Sequence, residues 1–209
     1  MNVAETIVYV VDDDPSIRKS LGRQLKAHGY QAELFATALE FLRRDPHNGP
    51  ACLILDLQLP DLNGLELQQI LAGTVHALPI IFISGYCDIP QSVRAMKNGA
   101  VDFLTKPFQS QDMISVVQEA LKRSSREQQD KIELATFQQR LTQLTPRENE
   151  VMHGVVAGKP NKLIAAELGV GEKTVKVHRG RMMEKLGLHS VADLVRAVER
   201  SHVLTPSGI

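Results

Sequence analysis

The chain has 209 residues, of which 43% are hydrophobic and 23% are charged, and its formal net charge is zero. These proportions are those of an ordinary globular protein, and the length accommodates one large domain or two small ones. No apolar run reaches 18 residues, and the N-terminus lacks a basic segment followed by an apolar stretch. We therefore expect neither membrane insertion nor secretion and assign the chain to the cytoplasm.

Charge is distributed unevenly along the chain. Residues 1–122 carry 14 acidic and 10 basic side chains, whereas residues 144–209 carry 7 acidic and 10 basic ones. An acidic first part and a basic last part suit a regulatory domain joined to a domain that binds an anion. The cysteines, Cys52 and Cys87, lack metal-type spacing, and we expect reduced thiols. A redox role for Cys87 stays open.

Residues 1–122 alternate strand-like and helix-like patterns. The strand-like runs are Ile7–Val11, Gln31–Phe35, residues 52–57, Ile80–Ser84 and residues 101–104. The amphipathic stretches between them cover residues 16–28, 38–44, 64–72, 89–98 and 110–122. Five strands alternating with five helices predict a doubly wound, flavodoxin-like parallel sheet, because right-handed crossovers place helices on both of its faces.

Chemically active side chains lie at the carboxyl ends of these predicted strands. They are Asp12 and Asp13 after the first strand, Asp56 in the third, Ser84 at the end of the fourth and Lys106 after the fifth. Ligands of doubly wound sheets bind beyond the carboxyl ends of the strands. Carboxylates, a hydroxyl group and an ammonium group in one place predict a Mg²⁺-dependent phosphoryl site. The neighbouring Asp14 is predicted to cap a helix that begins at Pro15.

Residues 123–143 are rich in Gln, Glu, Lys and Arg and contain neither Gly nor Pro, which predicts a helical linker. Leu134, Phe137, Leu141 and Leu144 recur at intervals of 3 and 4 residues and form a short apolar stripe. The stripe either packs on its own domain or pairs with a second subunit, and the sequence leaves both alternatives open. Residues 144–200 are helical in pattern throughout.

Residues 1–122 resemble the receiver domain of two-component response regulators. The matching text is Asp12-Asp13, the segment from Asp56 to Gly64, Ser84 and Lys106-Pro107. The resemblance implies that Asp56 accepts a phosphoryl group from a sensor histidine kinase or a small phosphodonor.

The same resemblance implies the roles of the surrounding groups. A Mg²⁺ or Mn²⁺ ion would be held by Asp12, Asp13, Asp56 and the backbone carbonyl of Gln58. Lys106 and Ser84 would contact the phosphoryl oxygens. Ser84 and Phe103 would form the switch, with a homodimer forming on phosphorylation through the face made by residues 89–98, 101–104 and 110–122.

The last part of the chain resembles the LuxR/FixJ type of four-helix, helix-turn-helix DNA-binding domain. The matching text runs from Leu144 to Val151, from Asn161 to Val170 and from Lys173 to Gly187. Within it, residues 161–168 predict a scaffold helix with Gly169 as a left-handed cap, and Gly171-Glu172 opens the next helix. That second helix is predicted to bury Val175, Met182 and Leu186.

The exposed side of this second helix supplies the candidate DNA contacts. Residues predicted to enter the major groove are Lys173, Lys176, Val177 and Gly180. Residues predicted to contact phosphates are Thr174, Arg179 and Arg181. Glycine at position 180 weakens a helix by about 1 kcal/mol relative to alanine. It allows close approach to DNA or narrows what the helix can read.

We interpret the chain as a transcription regulator of the FixJ/NarL class that is not a turnover enzyme. Its predicted parts are a receiver domain (residues 1–122), a helical linker (123–143) and a DNA-binding domain (144–209). Its predicted partners are a sensor histidine kinase, double-stranded DNA, RNA polymerase and a second copy of the chain, without a membrane. The alternatives are a phosphorylation-independent DNA-binding regulator with a structural receiver, and a small Mg²⁺ phosphatase.

Overall fold

The computed structural model describes residues 6–74, 77–85 and 89–201; Cys87 lies outside these ranges. Internal contacts divide the chain into two compact units, residues 1–128 and residues 129–209. Within the described ranges, no helix combines the length and the apolar character needed to cross a bilayer.

The first unit contains a five-stranded sheet and its helices. The strands are β1 (Ile7–Val11), β2 (Gln31–Phe35), β3 (Ala51–Asp56), β4 (Ile80–Ser84) and β5 (Asp102–Thr105). The helices are α1 (Pro15–Ala27), α2 (Ala38–Leu42), α3 (Gly64–Ala72), α4 (Ile89–Lys97) and α5 (Ser110–Leu141), which continues into the second unit. The second unit adds α6 (Pro146–Val156), α7 (Asn161–Leu168), α8 (Glu172–Leu186) and α9 (Val191–Ser201).

All neighbouring strands pair in parallel, in the order β2-β1-β3-β4-β5. The side chains of β1 alternate between two hydrophobic cores, because successive residues of a strand point to opposite faces of the sheet. Tyr9 packs with residues of α2 and α3 such as Phe41, whereas Val10 packs with residues of α1 and α5 such as Leu21 and Val117. The predicted doubly wound parallel sheet is confirmed.

Helix α5 differs from the expectation of a helix ending at residue 122 before a separate linker. It is one helix of 32 residues, from Ser110 to Leu141. The segment after residue 122 contains neither Gly nor Pro, and therefore nothing in it ends the helix. The predicted helical character of the linker is confirmed, but the linker is a continuation of the fifth helix.

Up to residue 201, the secondary structure of the second unit is all-helical, as predicted, and its core includes Val151, Ile164, Val175 and Leu194. Phe137, on the last part of α5, is buried in this core. Leu141 and Leu144 are partly buried against the same core. Of the two alternatives for the apolar stripe, packing on its own domain is the one observed for these three residues.

Candidate functional site

Three carboxylates meet at the carboxyl ends of β1 and β3. These strands are neighbours in register, with Val11 opposite Leu55, so the residues that follow them lie side by side. Asp12 and Asp56 are buried, whereas Asp13 is exposed. One ligand oxygen from each of the three lies within 4.8 Å of the others, close enough for a single metal ion. The sheet thus brings together the acidic residues that were predicted from sequence.

Lys106, which follows β5, joins two of these carboxylates. Its Nζ donates hydrogen bonds to Oδ2 of Asp12 at 2.7 Å and to Oδ2 of Asp56 at 2.6 Å. Burial acts to lower the pKa of Lys106, but the two carboxylates outweigh it and the pKa of Lys106 is raised. The ammonium group therefore stays charged and holds the two strand ends together. Burial raises the pKa of the Asp12 carboxyl group, and Lys106 offsets this only in part.

Backbone groups fix the remaining carboxylate oxygens. Oδ1 of Asp12 accepts from the backbone N–H of Asp14 at 2.8 Å, and Oδ1 of Asp56 accepts from that of Gln58 at 3.1 Å. Arg18 donates from Nη1 to the backbone carbonyl of Asp12 at 2.5 Å. Sequence reasoning missed Arg18, although its place one turn into α1 put it within reach of the site. The role predicted for the carbonyl of Gln58 stays a prediction.

Helix caps hold the loops around these carboxylates. Asp14 accepts from the backbone N–H groups of Ser16 and Ile17, which confirms its predicted capping of α1. At the start of α3, Asn63 and Glu66 form a reciprocal capping box. The next position is Gly64, where a Cβ atom would lie 2.7 Å from the carbonyl oxygen of Asp56. The first turn of α3 therefore approaches Asp56 more closely than any side chain at position 64 would allow.

The two predicted switch residues lie on β4 and β5. Ser84 is buried at the end of β4, where its backbone carbonyl accepts from the N–H of Lys106 at 2.7 Å. Phe103 is partly buried, and its ring stacks on that of Phe82 with centroids 6.3 Å apart. Phe103 lies on the strand that leads to Lys106, and Ser84 is joined to Lys106 by this backbone hydrogen bond. Their movement in a switch stays a prediction.

Helix α4 exposes an apolar stripe next to these strands. Ile89, Val93 and Met96 are 70%, 46% and 43% exposed, at intervals of 4 and 3 residues. This spacing places them on one face of the helix. Among the described residues of the first unit, this is an apolar helix face left open to solvent beside the predicted switch strands.

Helix α8 carries the predicted DNA contacts. Val175, Met182 and Leu186 are its buried residues, as predicted. Six of the seven predicted contact residues are exposed: Lys173, Thr174, Lys176, Val177, Gly180 and Arg181. Arg179 differs from them because it is partly buried and its Nη1 donates to Oδ1 of Asn161, at the start of α7, at 3.1 Å. Most of the predicted contact residues thus share an open surface of α8.

Two known families match this chain. Residues 8–118 match the family described as response regulator receiver domain, and residues 142–198 match the family described as bacterial regulatory proteins, luxR family. The chain belongs to the response regulator family. This two-component regulator of transcription combines a receiver domain with a LuxR-type DNA-binding domain, and the resemblance stated from sequence is confirmed.

Similar proteins match this response regulator over nearly its whole length. Nodulation protein W of Bradyrhizobium diazoefficiens is 43% identical over 195 residues, covering 93% of this chain and 86% of the relative. The transcriptional regulatory protein FixJ of the same organism is 35% identical over 197 residues, covering 94% and 96%. The solved structure of the response regulator StyR is 40% identical with a TM-score of 0.80, covering 94% of this chain and 100% of StyR.

Proposed function

We propose that this response regulator is a phosphorylation-switched, DNA-binding regulator of transcription whose phosphoacceptor is Asp56. The phosphoacceptor receiver would occupy residues 1–122, the linker residues 123–143 and the DNA-binding domain residues 144–209. The observation that carries the proposal is the cluster of Asp12, Asp13 and Asp56 with the Lys106 ammonium bonded to two of them. The LuxR-type match supports a cytoplasmic location, because DNA lies there.

The carboxylate cluster fits a hard divalent cation. All of its side-chain donors are oxygens, which suit Mg²⁺ or Mn²⁺, and a Mg²⁺ ion takes one or two carboxylates together with water and phosphate oxygens. Asp12, Asp13 and Asp56 would hold the ion, together with the backbone carbonyl of Gln58. The bound ion would neutralise the repulsion between the Asp56 carboxylate and an anionic phosphoryl group.

The residues of the site divide the work of phosphoryl transfer. An oxygen of the Asp56 carboxylate attacks phosphorus, and an O–P bond forms as the P–N bond to the kinase histidine breaks, its electron pair leaving with the imidazole nitrogen. Lys106 places its positive charge against a phosphoryl oxygen, and the Ser84 hydroxyl group donates to another. The acyl phosphate stays on the protein as a signal, so the chain is a substrate of the kinase and not a turnover enzyme.

The apolar stripe of α4 supports dimerisation as the next step. Ile89, Val93 and Met96 present an apolar surface beside the switch strands, on which Ser84 (β4) and Phe103 (β5) would relay the phosphorylation state. Two receivers that pair through this surface would bring two DNA-binding domains together. Paired domains bind a twofold-related DNA site far more tightly than a single domain, because the second contact becomes intramolecular. RNA polymerase would be the partner of the DNA-bound dimer.

The exposed surface of α8 supports the DNA contacts. Lys173, Lys176, Val177 and Gly180 are open to solvent on this helix, where they would face base edges in the major groove. Thr174, Arg179 and Arg181 would contact phosphates, Arg179 with the N–H groups that Asn161 leaves available.

Intact-mass measurement after incubation with acetyl phosphate and Mg²⁺ tests the chemistry, with Asp56→Asn as the matched variant. We expect one phosphoryl adduct on the wild-type chain and none on the variant. Light scattering on the same samples should show the phosphorylated wild-type chain as a dimer. The variant Val93→Asp should accept the phosphoryl group and stay monomeric.

Two results would change the assignment. The absence of an adduct on the wild-type chain, together with DNA binding by Asp56→Asn at wild-type affinity, would make this a phosphorylation-independent regulator with a structural receiver. Release of more than one equivalent of phosphate per chain from a soluble phosphate ester would make it a phosphatase.

A further inference from the structure

The C-terminal end of α8 is held by a residue from outside the segment that matches the luxR family. Arg140, near the end of α5, donates from Nη1 to the backbone carbonyl of Leu186 at 2.8 Å. The family match begins at residue 142. The contact joins residues 46 positions apart in sequence, both within the second unit.

The carbonyl of Leu186 is one of the groups that a helix end leaves without a partner inside the helix. The carbonyl of Glu184 accepts from Gly187 at 3.0 Å, and that of Met183 accepts from Leu188 at 3.0 Å. Arg140 supplies the donor for the last carbonyl of α8. A guanidinium group at this position also complements the negative end of the helix dipole.

The fit around Arg140 is close. Gly187, the residue after α8, has φ +67° and ψ +33°, and a Cβ atom at this position would overlap the Arg140 guanidinium group. Two residues earlier in the same turn, Lys185 donates to the buried carboxylate of Glu148 at 2.6 Å. The end of α8 is therefore fixed from two sides, by α5 and by α6.

We propose that Arg140 is a positioning residue for DNA recognition. By holding the Leu186 end of α8, it sets the angle at which Lys173, Lys176 and Val177 meet the major groove. Val177 precedes Leu186 by nine residues, about 14 Å along the helix axis, so a small shift at one end tilts the other. This inference rests on the proposed role of α8 in reading DNA.

The first experiment uses the full-length chain. Wild-type protein, with acetyl phosphate and Mg²⁺, selects a duplex of about 30 base pairs from a random pool, and the enriched duplex is the probe. Its Kd, and the Kd of a scrambled duplex, are then measured at several salt concentrations. The variants are Arg140→Met and Arg140→Lys. Arg126→Met is the matched control, because it removes an exposed arginine from the same helix.

We expect Arg140→Met to bind the selected duplex about tenfold more weakly, since without this charge-assisted hydrogen bond the end of α8 has to be fixed at the expense of binding free energy. The scrambled duplex should lose less affinity, because misdirected base contacts reduce specificity. The dependence of log K on log salt should keep its slope, Arg140→Lys should recover most of the affinity, and Arg126→Met should match the wild-type chain.

Several outcomes would overturn the inference. A salt slope lowered by about 1 in Arg140→Met would make Arg140 a direct phosphate contact. Equal loss on both duplexes, or wild-type affinity despite a lower unfolding temperature, would leave it a structural residue only. A wild-type chain that enriches no duplex would reject the proposed DNA function, and this inference with it.

A glycine pair gives an independent test. Gly169 and Gly187 have nearly the same backbone conformation, with φ of +66° and +67°, but a Cβ atom at Gly169 meets nothing within 4 Å. Alanine therefore carries the same conformational cost at both positions and displaces Arg140 only from Gly187. We expect Gly187→Ala to weaken binding of the selected duplex more than Gly169→Ala, and this excess to vanish in an Arg140→Met background. An excess that persists without Arg140 would contradict the inference.

Discussion

The carbonyl oxygen of Asp56 leaves no room for a side chain at position 64. A Cβ atom there would lie 2.7 Å from that oxygen and 3.1 Å from Cα of Leu57, so the backbone that carries the Asp56 carboxylate would have to shift. We expect Gly64→Ala to lower the free energy of unfolding by about 1–3 kcal/mol and to slow phosphoryl uptake. Urea denaturation and acetyl phosphate labelling measure the two effects.

Gly73→Ala is the matched control for this prediction. Gly73 directly follows the same helix with φ −82° and ψ −1°, a conformation open to alanine, and a Cβ atom there would lie 3.6 Å from the carbonyl oxygen of Ile70, an ordinary contact. Its alanine variant should be as stable as the wild-type chain or slightly more so. If the two variants unfold and take up the phosphoryl group alike, the atoms around Gly64 can move to accommodate a Cβ atom.

Glu148 makes the stability of the second unit depend on pH. The Lys185 ammonium group and the backbone N–H of Thr145 lower the pKa of the Glu148 carboxyl group from 4.5 to about 2. A carboxyl group whose pKa is lower in the folded state stabilises that state at any pH above its unfolded-state pKa. The stabilisation is lost as the pH falls through the folded-state pKa. We therefore expect the second unit to lose stability between about pH 4.5 and pH 2. Thermal unfolding monitored across this range measures the loss.

Variants of the Glu148 pair separate its charge from its packing. Glu148→Gln should flatten the pH dependence between about pH 4.5 and pH 2, because the titrating group is gone. Lys185→Met should cost about 1–3 kcal/mol at pH 7, since it leaves a buried carboxylate without its ammonium partner. If Glu148→Gln loses as much stability at acid pH as the wild-type chain does, the acid sensitivity belongs to another carboxylate.

On the scale of a helix, a glycine near the middle of α8 lowers the stability of the helix and leaves its surface open there. Gly180 is exposed, and a Cβ atom there would meet nothing within 4 Å of the protein. Packing within the unit thus gives no reason for glycine. We expect Gly180→Ala to raise the free energy of unfolding by about 0.5–1 kcal/mol and to weaken binding to the selected duplex, because the added methyl group would stand at the proposed DNA surface. If Gly180→Ala is more stable and also binds the duplex more tightly, Gly180 is not a DNA contact that needs an absent side chain.

The elements most open to prediction were those with strong local signals. β1, β2 and β4 have the predicted bounds, because each is an apolar or alternating run between turn residues. β3 begins one residue earlier than predicted, at Ala51, and α5 runs 19 residues further than the predicted helix. Strand and helix ends depend on pairing and packing partners that a local pattern does not contain.

Sequence could place the site residues at one edge of the sheet, since parallel strands share their carboxyl ends. It could not give the two hydrogen bonds of Lys106, whose partners lie 94 and 50 residues away. Nor could it find Arg140, which resembles any other charged residue of a solvated helix until the fold brings it to Leu186. These contacts depend on how elements pack across long separations in the chain.

For the whole molecule, separate cores predict separate unfolding. The first unit contains two cores on the faces of its sheet, and the second contains one core of its own. We expect calorimetry to resolve two transitions. About 10 mM Mg²⁺ should raise the first unit's transition, because the ion proposed for the carboxylate cluster would bind the folded cluster and not the unfolded chain. Lys185→Met should lower only the second unit's transition, and a single transition that responds to both changes would contradict this.

Helix α5 also bears on how such regulators exchange parts during evolution. Its Val117 belongs to the sheet core, while its Phe137 belongs to the core of the helical unit. A gene fusion that joins a new receiver directly to residue 142 would leave the DNA-binding module without Phe137, one of its core side chains. A recombination that preserves both cores joins the two genes within α5, near residue 128. The turns of α5 after this point then stay with the DNA-binding module.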